Sequence, residues 1–203
     1  MVQIGLTCAR ARFTTLASTG LTLALEVAGM VLAQSHTRTP IPFRSVNVPG
    51  KPGYHPGLQR HHLLPRALLG RRAFDKMITS LSHERIGFHD FRRNGLLLPA
   101  TEQGALRIGM PLHRGPHRTY SDMVTERLGQ IEMGWSRTRR YDVDLASMEA
   151  LMRLDLLLRA LRRRLLSPPE GEEIVLNRRD PAMDYSHLDR MAETLWEATQ
   201  SKL

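Results

Sequence analysis

The sequence predicts an α+β fold: a small core of two strands and one helix, followed by a mainly helical C-terminal extension. Three observations predict it. The stretch LQRHHLLPRALL, residues 58–69, reads as an extended segment interrupted by Pro65. Asn94-Gly95, followed by Leu96, Leu97, Leu98 and Pro99, reads as a turn that feeds a short buried strand. Beyond Pro116, apolar residues recur at helical spacing.

Taken in chain order, the first 33 residues pair Arg10 and Arg12 with an apolar run from about Phe13 to Ala33. This is the layout of an export signal, with Val31 and Ala33 as small residues before a cut; the alternative is an ordinary packed helix. Glu26 and several Thr and Ser residues interrupt the run, so no stable membrane span is expected. Residues 37–57, TRTPIPFRSVNVPGKPGYHPG, hold too much Pro and Gly for a helix and predict a linker or an extended wrap.

Leu68, Phe74, Met77, Ile78 and Leu81 place a helix near 72–82. Pro116 suits a first helical position, and Tyr120, Val124, Leu128 and Ile131 form one apolar face, which predicts a helix over 116–133. Leu145, Met148, Met152, Leu154, Leu158, Leu161 and Leu165 define a further helix that SPPEGEE stops, and Leu188, Met191 and Leu195 mark a last one near 185–201. Arg162, Arg163 and Arg164 fall in a last helical turn, where positive charge complements the helix dipole. The resulting division is 1–57 leader and linker, 58–135 core, and 136–203 helical extension.

With a net charge of +9, the chain favours a phosphate-rich partner. Lys51, Lys76 and Lys202 are its only lysines, so arginine supplies nearly all of the positive charge and can grip phosphate oxygens in pairs. A single cysteine, Cys8, excludes an intrachain disulfide and a cysteine-based zinc site.

Histidine carries the chemistry. Of nine histidines, His36 and His55 lie in the Pro/Gly-rich stretch, His83 and His187 fall at expected surface positions, and His89 lies near Asn94. The other four form a pattern: adjacent His61 and His62, then His113 and His117 spaced H-x-x-x-H at a predicted helix start. At that spacing two helical side chains lie one turn apart and can reach one point. Adjacent residues of a strand face opposite ways, so the His61–His62 pair can serve two tasks. The order of parts is a His-His strand, a polar turn with Asn, a short strand, then a helix carrying H-x-x-x-H, and two strands and a helix around one metal make a compact nuclease scaffold.

On these residues the chain resembles the AHH family of the HNH/endonuclease VII superfamily. The resemblance is carried by RHHLLPRAL, FHDFRRNGLLLP and PLHRGPHRTY, in order from Arg60 to Tyr120. It implies a small ββα-metal nuclease core. The His-His…Asn…His-x-x-x-His order is also similar to that of colicin-type HNH nuclease domains. One departure stands out: the family's Ala before the histidine pair is Arg60 here.

The resemblance implies that His61, His113 and His117 hold one divalent metal ion, that His62 is the general base, and that Asn94 orients it through a hydrogen bond. Three neutral imidazoles suit Zn²⁺ better than Mg²⁺, which prefers oxygen ligands; Mg²⁺, Mn²⁺ and Ni²⁺ are the alternatives. Arg60, Arg66, Arg114 and Arg118 flank the histidines and are candidates for nucleic-acid backbone contacts. The expected activity is metal-dependent cleavage of DNA with little sequence specificity, by a toxin-type effector with a cognate immunity protein. The alternatives are an RNA-cutting relative and a non-catalytic module in which the metal only staples the fold. The sequence leaves open a cytoplasmic location or delivery to a target cell.

Overall fold

A computed structural model describes residues 38–168, 174–177, 179–180 and 186–200, so the leader expected over 1–33 lies outside the described residues. The chain divides into two units, Met1–Thr39 and Pro40–Leu203, and every described element lies in the second. Two strands, β1 (Leu58–His62) and β2 (Gly95–Pro99), pair antiparallel, with His62 opposite Gly95, His61 opposite Leu96 and Leu58 opposite Pro99. Seven α-helices accompany them among the described residues: α1 (Arg72–Leu81), α2 (His83–Ile86), α3 (Phe91–Asn94), α4 (Glu102–Ile108), α5 (Arg118–Thr138), α6 (Val143–Leu166) and α7 (Ser186–Gln200). The α+β fold with a helical extension is therefore what the chain adopts.

Helix α1 buries Phe74, Met77, Ile78 and Leu81, the residues whose spacing predicted it, and Leu68 is buried in the turn before it. Helix α5 buries Tyr120, Val124, Leu128 and Ile131 and continues the stripe to Trp135, a turn beyond the expected end. Because α5 runs to Thr138, a core boundary at 135 falls within this helix. Its first helical residue is Arg118, two after Pro116.

Helix α6 packs on α5 and on the short helices before it, burying Ala146, Ala150, Leu151, Leu154, Leu158, Leu161 and Leu165. Its second half follows the predicted stripe, but its first half does not: Leu145, Met148 and Met152 are only half-buried. The buried positions of the first two turns are Ala146 and Ala150, which a search for large apolar side chains passes over. On α5, Gly134 meets this helix, since a Cβ there would stand 3.0 Å from Arg153 Nη1.

The Pro/Gly-rich stretch is a wrap. The Ile41 N–H donates to Asp90 Oδ1 at 3.0 Å, and the Phe91 N–H donates to the Ile41 carbonyl at 2.7 Å. Asn47 closes its own loop: its side chain donates to the carbonyls of His55 and Leu58 and accepts the His55 N–H. Helix α7 stands apart in character, with Met191, Leu195 and Trp196 all exposed. No described helix is long and apolar enough to cross a membrane.

Asn94-Gly95 is built differently from a glycine turn. The chain makes the short helix α3, capped by the Asp90 side chain on the Arg92 N–H, and passes from Asn94 directly into β2. Gly95 has an ordinary extended backbone, with φ of −111°. Glycine is required there for space, because a Cβ would collide with the Phe91 ring.

Candidate metal centre

Strand β1 presents His61 inward and His62 to a different neighbourhood. His61 is 3% exposed and lies edge-on to His113, His117 and Tyr120, with ring centroids 4.9, 5.6 and 5.0 Å away. His62 is half-buried and stacks face to face on Phe43 at 3.7 Å, with the two rings parallel to within 1°. The two imidazoles therefore face separate surroundings, as the alternation of a strand requires.

One ring nitrogen from each of His61, His113 and His117 lies within 4.8 Å of the others. Neither His113 nor His117 is inside a helix, which corrects the expectation of two ligands one helical turn apart. His117 is the residue just before α5, and Gly115, at φ +80°, bends the intervening loop in a way that favours glycine. The loop, rather than a helical repeat, brings these two rings to a centroid distance of 4.5 Å.

The hydrogen bonds select which nitrogens face the centre. The Leu176 carbonyl can only accept, so His117 Nδ1, 3.0 Å from it, carries the hydrogen and leaves Nε2 with its lone pair. The Gln59 amide oxygen holds His113 Nδ1 in the same way at 3.2 Å. His61 Nε2 is buried and has no hydrogen-bond partner. Buried polar atoms are rarely left so; a cation among the three rings satisfies it. The donor set is all-nitrogen, with the opposite ring nitrogens of His113 and His117 anchored as in metal-binding histidines generally. These residues fit a metal ion.

Burial reinforces neutrality. It pushes the His61 pKa down to about 2, with the nearby His113, His117 and His62 acting in the same direction. His113 is lowered to about 4, again chiefly by burial. His62 is also lowered to about 4, by burial first and then by the charges of Arg66, His89 and Arg60. Neutral rings can ligate a cation or accept a proton at pH 7. In the unfolded chain these groups return to 6.5. As pH falls below that value the unfolded chain takes up protons that the folded chain refuses, so folding stability is lost with acid. The Tm of metal-free protein, followed by calorimetry, is expected to fall between pH 6.5 and about 4, and less steeply in His61→Gln. A Tm that rises with acid over that window contradicts this electrostatic picture.

Asn94 is fully buried, and its amide does not bond the His62 ring. Oδ1 accepts the Leu64 N–H at 2.6 Å, while Nδ2 donates to the Phe88 carbonyl at 2.9 Å and to the Leu64 carbonyl at 3.4 Å. Both amide hydrogens are thus spent on backbone, which corrects the expected hydrogen bond from Asn94 to the ring. Asn94 instead locks the chain two residues beyond His62, and its own carbonyl accepts the Leu63 N–H at 2.8 Å. Tyr120 secures the same segment from α5 by donating its hydroxyl to the Leu63 carbonyl at 2.8 Å; burial pushes that phenol's pKa up.

Of the candidate arginines, Arg66, Arg114 and Arg118 are exposed. Arg60 is exposed too, yet one of its guanidinium nitrogens donates to the Phe43 carbonyl at 2.8 Å, tying the wrap to β1. Arg114 and Arg118 line a cleft of about 540 Å³, together with Arg179 from the C-terminal segment. Arg162 does more than complement a dipole: it donates to the carbonyls of Arg92 and Arg93 at 2.6 and 3.2 Å, bracing α3 from α6. His83, expected at the surface, is half-buried and stacks on His89.

Phe43, Gln59, Leu176 and Arg179 were not legible as site residues. Gln59 had the one available signal, since it lies two places before His61 on the same strand. No curated protein and no solved structure matches the chain. A family described as "a nuclease family of the HNH/ENDO VII superfamily with conserved AHH" matches residues 43–163, from the phenylalanine beneath His62 to the end of α6. That match takes in both strands, all three clustered histidines and more than half of the sequence, and the chain belongs to the AHH nuclease family of the HNH/endonuclease VII superfamily.

Proposed function

We propose that the chain is a metal-dependent endonuclease that hydrolyses phosphodiester bonds in DNA with little sequence preference. The observation that carries this reading is the meeting of His61, His113 and His117, with the neutral His62 ring beside them on the same strand. The nitrogen donors favour Zn²⁺ over Mg²⁺. A divalent cation held there supplies positive charge to the phosphoryl oxygens and the leaving oxyanion.

The protein's own residues supply the rest. His62 accepts the proton of an attacking water as the new P–O bond forms and the bond to the leaving sugar oxygen breaks. Phe43 and the clamped backbone at Leu63 and Leu64 hold that imidazole in place. Arg114, Arg118 and Arg179 in the cleft, with Arg66, whose charge acts on His62, meet backbone phosphates. Such contacts are independent of base identity and weaken with salt. A nuclease of this kind serves as a toxin-type effector, with a neutralising partner protein in the producing cell.

The test is incubation of the purified chain with supercoiled plasmid and with total RNA, each with and without a chelator. Nicked and linear plasmid is expected, lost on chelation and restored by a transition ion. Cleavage of RNA alone reassigns the substrate. Retardation of plasmid without nicking replaces the enzyme with a metal-stapled binding module.

A further inference from the structure

The family match ends at residue 163, yet the third histidine of the cluster leans on Leu176, beyond it. This later segment touches the histidine loop at three points. The Leu176 carbonyl accepts from His117 Nδ1 at 3.0 Å. Asn177 donates its side-chain amide to the Arg114 carbonyl. Asp180 accepts the N–H of Leu112, the residue before His113, at 2.7 Å. Together these contacts hold the loop ahead of, between and at its two histidines.

The segment is itself organised. The Asp180 N–H donates to the Asn177 carbonyl at 3.0 Å, and the Arg179 N–H donates to Asn177 Oδ1 at 2.8 Å, forming a closed turn. Ile174, Leu176 and Asp180 are buried, with Asp180 only 6% exposed. A carboxylate this buried requires polar partners, and the Leu112 N–H across the fold is one of them.

We propose that residues 174–177 and 179–180 form a positioning strap for the metal centre: Leu176 sets the tautomer and aim of His117, while Asn177 and Asp180 hold the loop that carries His113 and His117. This rests on the reading of His61, His113 and His117 as metal ligands. Its chemical content is specific. With Leu176 in place, His117 keeps its hydrogen on Nδ1 and offers Nε2 to the cation. Without the strap the ring is free to rotate and to exchange tautomers, and one of three nitrogen donors loses its aim.

The test uses the full-length protein and metal affinity, read by chelator competition with Zn²⁺ and by the visible spectrum of Co²⁺. Asp180→Ala and Asn177→Ala are expected to weaken binding on the order of 10–100-fold each, the range seen when a partner of a ligating histidine is removed. Asp180→Asn, which keeps an acceptor for the Leu112 N–H, should recover much of it. Leu151→Ala in α6 is the control for stability alone and should leave affinity near the parental value. If Asp180→Ala and Asn177→Ala weaken affinity no more than Leu151→Ala, the strap is merely packing and the proposal fails. Should Asp180→Ala not fold, the wild type still decides: ¹⁵N-histidine spectra of metal-free protein should show His117 protonated at Nδ1, and protonation at Nε2 overturns the proposal. A parental chain whose Zn²⁺ and Co²⁺ binding is indifferent to His61→Ala refutes the ligand reading itself, an outcome distinct from failure of the strap.

Discussion

His62→Ala is expected to lower plasmid cleavage by about 10²–10⁴-fold, the usual contribution of a positioned general base, while Zn²⁺ affinity stays at the parental level. The separation follows from the structure. His61, His113 and His117 have their ligand nitrogens gathered on one side of β1, whereas His62 rests on Phe43. Removing its ring takes away the proposed proton acceptor and leaves the three gathered ring nitrogens in place. The measurement is a pair: cleavage rate by gel densitometry and metal affinity by chelator competition. Parental cleavage in His62→Ala disproves the assignment of the base, and joint loss of cleavage and metal shows that His62 supports the ligands instead.

The largest effect on stability is expected from Asn94→Ala. The substitution strips partners from the Leu64 N–H and from the carbonyls of Phe88 and Leu64, in a place with no solvent access. Each buried polar group left unsatisfied costs about 1–3 kcal/mol, so a loss of roughly 3 kcal/mol or more is expected. For a chain of this size that lowers Tm by about 10 °C, readable by circular dichroism. Cleavage should fall with it, because the backbone that carries His62 into Leu63 and Leu64 loses its clamp. Asn94→Asp distinguishes this role from direct contact with the ring. An aspartate preserves shape but sets a second oxygen against two carbonyl oxygens, so it too should melt early. A variant that melts at the parental temperature yet cuts poorly would instead place Asn94 in the chemistry.

Much of this arrangement could be read before any coordinates. Tyr120, Val124, Leu128 and Ile131 announced α5 because a helix packed on one side repeats its apolar positions. The His61–His62 pair announced two tasks because a strand alternates its faces. Other features left weaker traces. The lower half of the α6 stripe was misjudged because Ala146 and Ala150, rather than larger neighbours, face the packed side. The convergence of His113 and His117 was foreseen through the wrong device, since H-x-x-x-H fits a helical turn as well as it fits a loop bent at Gly115.

The partners of the site were the least legible. Leu176 acts through a carbonyl, which every residue possesses, across a separation of 59 residues. Asp180 reaches Leu112 across 68 residues, and one aspartate in a polar segment carries no mark of its destination. Asn94 stood out in the sequence beside its glycine, but its connections run to backbone, where no side-chain pattern points.

Chain order gives the brace from Arg162 a temporal meaning. Synthesis proceeds from the N terminus, so Asn94 and its short helix leave the ribosome long before Arg162, which secures the carbonyls of Arg92 and Arg93 from 70 and 69 residues away. A nascent chain thus owns His61, His62, His113 and His117 while it still lacks the guanidinium that steadies the turn leading into the second strand. The support for that turn is thus synthesised well after the histidines it stands beside.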